Sequence, residues 1–185
     1  MRILFHMISA FWATRGGRRR SIRDTTILHM RVWPQDIDLN WHMNNGRYFS
    51  VADIGRFDWW IRTGIWRKAM KCGWRPVAGD VGARFSRSLQ PLQRYELRTR
   101  LLGWDEKWMF ALHEFAAGDQ VYTTLVVRYV FVSKMRPRPT PAQVLKLVGV
   151  EQPAPALPEW VQLWTQAQDR LAADRRAARA AQHVE

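Results

Sequence analysis

Four strand-like segments follow one another between residues 77 and 133 with no helical pattern between them. They cover residues 77–88, 95–104, 107–116 and 121–133. In the 95–104 segment, apolar residues alternate with charged ones, as in an antiparallel strand with one buried face. The 121–133 segment is apolar on both faces, which predicts a strand in the middle of the sheet. Consecutive strands joined by short turns favour an antiparallel sheet.

A long helical pattern precedes these strands. Its apolar face is formed by Tyr48, Val51, Ala52, Gly55 and Trp59. The pattern continues to about residue 72, with Gly64 as a kink. A glycine inside a helix costs about 1 kcal/mol relative to alanine, and a close approach to a sheet would offset this cost at Gly55. With a further strand over 26–33, the sequence predicts an α+β fold in which a curved sheet wraps around a long central helix.

Segments at both ends add to this core. Residues 1–25 predict an amphipathic N-terminal helix and a basic linker, 26–150 the main domain, and 151–185 a linker and a C-terminal helix. A short helix is predicted over 141–148. The N-terminal helix has two interpretations. It packs on the domain or on a partner subunit, or residues 1–20 contact a membrane surface, with the arginines against anionic lipid.

The charge and the metal-ligating residues limit the function further. A net charge of +13 attracts nucleic acid, anionic lipid or phosphorylated small molecules. The cations are spread along the chain and no RNA-binding signature accompanies them, which argues against nucleic acid. Cys72 is the only cysteine, so no internal disulfide or cysteine-based metal site forms, as fits a reducing compartment. The five histidines lack metal-ligand spacing, and we predict no metal.

The loop between the first strand and the long helix is rich in polar side chains. They are Asp36, Asp38, Asn40, His42, Asn44 and Asn45. Polar residues at this density between two apolar elements indicate a functional site. A calcium loop is excluded, because the sixth position would be Trp41 and the twelfth Arg47. Asn44 or Asn45 is a natural cap for the helix that follows.

The spacing D-x-D-x(3)-H-x-N-N-x(2)-Y in this loop, the long helix and the segments 84–91 and 98–105 occur in that sequence. Together they resemble the hotdog-fold acyl-CoA thioesterase-like family, within the 4-hydroxybenzoyl-CoA thioesterase-like superfamily. Within that superfamily, the motifs resemble those of bacterial thioesterase-family proteins and of thioesterase superfamily member six. The resemblance covers about residues 26–148.

The resemblance implies a hotdog fold, with a five-stranded antiparallel sheet around a central helix and extra N- and C-terminal helices. It implies a homodimer or tetramer with sites at the subunit interface. The expected substrate is an acyl-CoA, hydrolysed to the free acid and CoA, with no cofactor besides the coenzyme A of the substrate. The expected location is the cytoplasm, with peripheral contact to the inner membrane as a variant. The alternative is a catalytically weak hotdog protein that binds acyl thioesters or a membrane surface.

The resemblance and the chemistry of thioester hydrolysis together predict roles within the loop. Asp38 falls at the position of the family's catalytic carboxylate, as a general base or a nucleophile. The backbone amides near Asn45 and Gly46 are predicted to hold the oxyanion, because a helix N-terminus presents unpaired N–H groups. The side chains predicted to contact or orient the substrate are His42, Asn44, Tyr48, Arg84 and Arg87, the two arginines through the phosphates of coenzyme A.

Each assignment has a structural alternative. In these alternatives, His42 only packs against the backbone, Asn44 and Asn45 act only as caps, and the arginines only lie on solvated strand faces. Asp36 either closes the loop or takes part in catalysis. Trp41 stands where many active relatives have a small residue, often glycine. A bulky side chain there narrows the pocket or indicates a protein that binds acyl groups without cleaving them.

Overall fold

The computed structural model describes residues 20–134 and 137–182. The chain divides into two compact units, Met1–Ala154 and Pro155–Glu185. The described part of the second unit contains one helix, α4 (Glu159–Gln182), where a C-terminal helix was expected. Residues 1–19, on which the predicted N-terminal helix falls, lie outside the described residues.

The first unit is built on a five-stranded antiparallel sheet. Its strands are β1 (Thr26–Arg31), β2 (Arg75–Phe85), β3 (Arg94–Trp104), β4 (Met109–Ala117) and β5 (Gln120–Val132). They are ordered β1-β3-β4-β5-β2, so β1 and β2 form the two edges. β5 lies inside the sheet and buries apolar side chains on both faces, among them Val126 and Val127. The central position predicted from its two apolar faces is confirmed.

The single long helix of the prediction is two helices in the structure. α1 spans Asn45–Thr63 and α2 spans Ile65–Lys71. Gly64 separates them with a φ of 80°, a left-handed conformation that glycine adopts without steric cost and that commonly ends a helix. The predicted kink at Gly64 is therefore a complete break. A later helix, α3 (Pro141–Lys146), is shorter than the predicted 141–148.

α1 packs against the sheet with the face that the spacing predicted. Tyr48, Val51, Ala52 and Trp59 are all buried. At Gly55 the helix comes so close to β3 that an added Cβ would lie 2.7 Å from Leu97 Cδ2 and against Thr99 Oγ1. The close approach expected at this glycine is confirmed. The α+β class and the antiparallel sheet around a central helix are likewise what the sequence predicted.

Gly55→Ala is expected to destabilise the fold by about 1–3 kcal/mol, because both atoms that its Cβ would meet belong to buried side chains. Alanine raises helix propensity, so a gain would be expected if the contact with β3 were loose. Urea unfolding of the two proteins measures the difference. Ser50→Ala in the same helix is the matched control and should change stability by less than about 0.5 kcal/mol. Equal or higher stability of Gly55→Ala would contradict the tight contact.

Two apolar clusters lie along the helix–sheet interface. One surrounds the C-terminal half of α1 and contains Trp59, Trp60 and Tyr129. The other surrounds its N-terminal half and contains Tyr48 and Met43. Met43 belongs to the polar loop before α1, so the second cluster anchors that loop in the core of the first unit.

Candidate active site

The loop that carries Asp38 folds back on itself as a short, hydrogen-bonded hairpin. Ile37 and Met43 form an isolated antiparallel bridge. The Asp38 N–H donates to the His42 carbonyl at 3.0 Å, and the Trp41 N–H donates to the Asp38 carbonyl at 3.1 Å. These bonds hold residues 38–41 in a tight turn and fix the backbone of Asp38.

Within this turn the Asp38 carboxylate uses one oxygen and leaves the other without a bond to any described group. Oδ1 accepts the Asn40 N–H at 2.9 Å and lies 3.6 Å from His42 Nδ1. The side chain of Asp38 is 20% exposed. His42 Nδ1 also lies 3.4 Å from the Met43 carbonyl, so a proton on that nitrogen would point at two acceptors. Oδ2 of Asp38 is therefore the oxygen available to a water molecule or a substrate.

Asp36 has a structural role in this loop. It is buried, and its Oδ2 accepts the Trp33 N–H at 3.0 Å. Its Oδ1 accepts from Arg47 Nε at 2.9 Å and lies 2.8 Å from Arg47 Nη2. The Asp36 carbonyl accepts the Asn44 N–H at 2.8 Å. Asp36 thus ties the loop to the first turn of α1, which is the loop-closing role among its two predicted alternatives.

The N–H groups in the first turn of α1 differ in their hydrogen bonding. Asn44 is the N-cap, and its Oδ1 accepts the Gly46 N–H at 2.8 Å. The Arg47 N–H donates to the Asn44 carbonyl at 2.9 Å. The Asn45 N–H has no acceptor in the part of the chain that the structure describes. A Cβ at Gly46 would lie 3.1 Å from Asn44 Oδ1, so this glycine leaves room for the cap. Of the two predicted oxyanion donors, Asn45 is the one with a free N–H.

Tyr48 occupies a buried position behind the helix N-terminus. Its hydroxyl accepts the Leu89 N–H at 3.3 Å, and its ring contacts Phe85 and Phe115 edge-on, at centroid distances of 5.4 and 4.9 Å. Burial raises the pKa of the Tyr48 hydroxyl above its ordinary value. The structure therefore shows Tyr48 joining α1 to the segment after β2, and its predicted contact with a substrate stays a prediction.

The two arginines proposed for phosphate contact are placed differently. Arg87 is exposed. Along the chain it lies between Phe85 and Leu89, both of which contact Tyr48 in the first turn of α1. Arg84 precedes Phe85 in β2, and neighbouring side chains of a strand point to opposite faces. Arg84 is thus on the sheet face away from α1. Arg87 is two residues from Leu89, whose carbonyl accepts the Met43 N–H of the loop. The phosphate contact predicted for both arginines stays a prediction.

Trp41 takes a backbone conformation that favours glycine. Its φ is 59°, in the left-handed region that is unfavourable for residues with a Cβ. Its side chain is 77% exposed. Within this chain the indole therefore projects from the turn instead of filling the core behind Asp38.

Sequence reasoning missed two partners that shape the site. One is Arg47, which pairs with Asp36 eleven residues earlier. The other is Leu89, whose carbonyl accepts the Met43 N–H and whose N–H donates to the hydroxyl of Tyr48. An arginine in the first helical turn after a loop acid was a usable signal for the first. No sequence signal marks the second, because its bonds are made by the backbone.

The described residues contain no group of three or more histidine, cysteine, aspartate or glutamate side chains arranged to hold a metal ion. Among the described helices, none combines the length and the apolar character needed to span a bilayer.

Comparison with known proteins shows which family this chain matches. Residues 32–165 match the family model described as the thioesterase-like superfamily. The chain is 29% identical to Protein THEM6 of Drosophila melanogaster over 152 residues, which cover 81% of this chain and 77% of that protein. It is 35% identical to Protein THEM6 of Xenopus laevis over 96 residues, which cover 52% of this chain and 46% of that protein.

The solved structure of Slr0204, a 1,4-dihydroxy-2-naphthoyl-CoA thioesterase from Synechocystis, superposes with a TM-score of 0.58 at 10% identity. The match covers 70% of this chain and all of that one. At this identity the likeness concerns the fold alone, which is the hotdog fold that the family resemblance implied.

Proposed function

Because this chain belongs to the thioesterase-like superfamily, we propose that it hydrolyses the thioester of an acyl-CoA to the free acid and coenzyme A. The observation that carries the proposal is the arrangement in one loop of a partly exposed carboxylate and an unused helix N-terminal amide. The carboxylate is Asp38, with Oδ2 unoccupied, and the amide is the N–H of Asn45. A thioesterase needs both a base or nucleophile and an oxyanion donor.

The reaction proposed for this arrangement begins with a water molecule that attacks the thioester carbonyl carbon while Asp38 accepts its proton. The oxygen of the tetrahedral intermediate then carries a negative charge, which the Asn45 N–H and the positive end of α1 stabilise. The C–S bond breaks, the coenzyme A thiolate takes the proton from Asp38, and the acid ionises. Direct attack by Asp38, followed by hydrolysis of the mixed anhydride, is the other route that this geometry permits.

The remaining site residues have positioning roles in this proposal. His42 stands next to Asp38 Oδ1 and orients the carboxylate. Asn44 holds the first turn of α1 through its cap. Arg87 is the exposed cation that we assign to the phosphates of coenzyme A. It lies two residues before Leu89, which bonds both Met43 of the loop and Tyr48 of α1, whereas Arg84 is on the sheet face away from α1.

The proposed assembly is a homodimer formed through β2. This strand is an edge of the sheet and leaves Val77, Val81 and Phe85 substantially exposed. An unpaired edge strand with exposed apolar side chains is a surface that a second copy of the chain would cover. The proposed location is the cytoplasm, which agrees with an exposed free Cys72.

Thiol release from a panel of acyl-CoAs tests the function. The panel contains short, long and aromatic acyl groups, and each acyl group is also supplied as an N-acetylcysteamine thioester, which lacks the nucleotide phosphates. We expect turnover of at least one acyl-CoA, with a higher KM for the matching N-acetylcysteamine thioester. Binding of acyl-CoA without turnover of any thioester would reject hydrolysis and favour the acyl-thioester-binding alternative. Equal KM values for the two carriers would reject the phosphate contact.

A further inference from the structure

Two loops at one end of the first unit expose large apolar side chains. The four residues, together called the apolar end face, are Trp33, Leu39, Trp41 and Leu92. Leu39 is 97% exposed, the highest value among the exposed large hydrophobic side chains of the described chain. Backbone bonds join the loops, because the Met43 N–H donates to the Leu89 carbonyl at 2.9 Å. The Leu92 N–H donates to the Val32 carbonyl at 3.0 Å. The four side chains therefore belong to two loops that backbone bonds hold side by side.

Backbone strain coincides with this surface. Among the described residues, only two that are not glycine have a positive φ, and these are Trp41 at 59° and Leu92 at 61°. Such a conformation is unfavourable for a side chain with a Cβ, and it persists where the surrounding structure enforces it. Large exposed apolar groups on a soluble surface mark interaction sites. Both strained positions thus present an apolar side chain to solvent instead of to the core.

Three arginines lie in the second loop or at the strand ends next to the two loops. Arg31 and Arg94 lie directly opposite each other in the β1–β3 register, and Arg87 is exposed in the second loop. Like charges in this position repel, and none of the three forms an ion pair with a carboxylate of the described chain. Of the two acids in the first loop, Asp36 is buried against Arg47, and Asp38 is 20% exposed. An anionic partner would relieve the repulsion.

We propose that the apolar end face docks onto the surface of an anionic lipid bilayer. Leu39 and Trp41 enter the region between headgroups and acyl chains, where exposed leucine and tryptophan side chains are favoured, and Arg31 and Arg94 contact lipid phosphates. A net charge of +13 favours the same partner. Since Asp38 directly precedes Leu39, docking holds the candidate active site against the surface. This contact differs from the one predicted for residues 1–20, which lie largely outside the described residues.

Sedimentation of the full-length chain with vesicles, in the absence of any thioester, tests the docking separately from catalysis. One vesicle type is phosphatidylcholine alone, and the other contains equal parts of phosphatidylcholine and phosphatidylglycerol. The variant carries Trp41→Asn with Leu92→Asn, because asparagine tolerates the left-handed conformation and removes the apolar surface. We expect its partitioning onto the mixed vesicles to fall by about tenfold or more. The control is Leu163→Gln, which replaces an exposed apolar residue of α4 and should bind the vesicles as the wild type does.

A second variant tests the charges. Arg31→Gln with Arg94→Gln should weaken binding to the mixed vesicles, and added salt should weaken binding of the wild type in the same way. Wild type that binds both vesicle types equally, or neither, would overturn the proposal. Unchanged binding of the Trp41→Asn and Leu92→Asn variant would overturn it as well. Loss of dimers in light scattering, with vesicle binding unchanged, would instead assign the apolar end face to contact between copies of the chain.

Discussion

Replacing Asp38 with asparagine is expected to lower kcat for an acyl-CoA by about 10²–10⁴, the usual worth of a positioned general base. Asparagine has the same shape and keeps an oxygen that can accept the Asn40 N–H, so the turn at residues 38–41 should survive. What it lacks is the negative charge and the capacity to take a proton from water. Steady-state thiol release by the two proteins, on the best substrate of the acyl-CoA panel, gives the ratio of kcat values.

A matched control is available in the turn between β3 and β4. Asp105 Oδ1 accepts the Lys107 N–H at 2.7 Å, the same two-residue spacing that Asp38 uses with Asn40. Asp105→Asn therefore removes a carboxylate from a similar turn elsewhere in the fold and should leave kcat within about twofold, a free-energy change below about 0.5 kcal/mol. Equal kcat values for wild type and folded Asp38→Asn would show that Asp38 is not the catalytic group, whatever the fate of the other assignments.

The sequence predicted those parts of the fold that depend on repeated patterns. The buried face of α1 was visible in the spacing of Tyr48, Val51 and Gly55, and the central place of β5 in its two apolar faces. Gly64 was visible as an irregularity, but its effect depended on φ. A kinked helix and two separate helices have the same apolar spacing, and only the left-handed conformation of Gly64 distinguishes them.

The candidate site was predictable as a loop but not as an arrangement of bonds. The order of acids and asparagines located Asp38 and the cap at Asn44. The side chain of Asn44 accepts the Gly46 N–H and leaves the Asn45 N–H free. The sequence could not show this choice, because it depends on the conformation of the Asn44 side chain. The apolar end face was hidden for a similar reason. Leu92 joins Trp41 there only through the backbone bonds between two loops that are far apart in the sequence.

The interior of the helix–sheet interface contains a histidine that the sequence did not single out. His113 lies on β4 opposite Thr99 of β3, and its Nδ1 is 2.9 Å from Thr99 Oγ1. It is completely buried, and Nε2 has no hydrogen-bond partner within the described residues. Burial, with a smaller contribution from the positive charge of Arg56, lowers the pKa of His113 from 6.5 to about 3. The folded protein therefore keeps this imidazole neutral.

His113 should make the protein progressively less stable as the pH falls from about 6.5 to about 3. Between these values the unfolded chain binds a proton at this histidine and the folded chain does not, so protonation favours unfolding. The free energy of unfolding should fall by about 1.4 kcal/mol for each pH unit within this window. Above about pH 6.5 both states leave the imidazole neutral, so His113 adds no pH dependence there. Urea unfolding at a series of pH values measures the slope.

Comparison with His113→Asn isolates this contribution from that of carboxylates, which also titrate in acid. Asparagine cannot take up the proton, and its amide can keep a hydrogen bond with Thr99 near the position of Nδ1. The variant should be less stable at neutral pH because it is smaller, yet lose less stability on acidification. His29→Gln, at a side chain that is 83% exposed, is the matched surface control. Parallel loss of stability in wild type and His113→Asn would show that His113 is protonated as readily in the folded protein as in the unfolded chain, and the buried neutral imidazole would have to be abandoned.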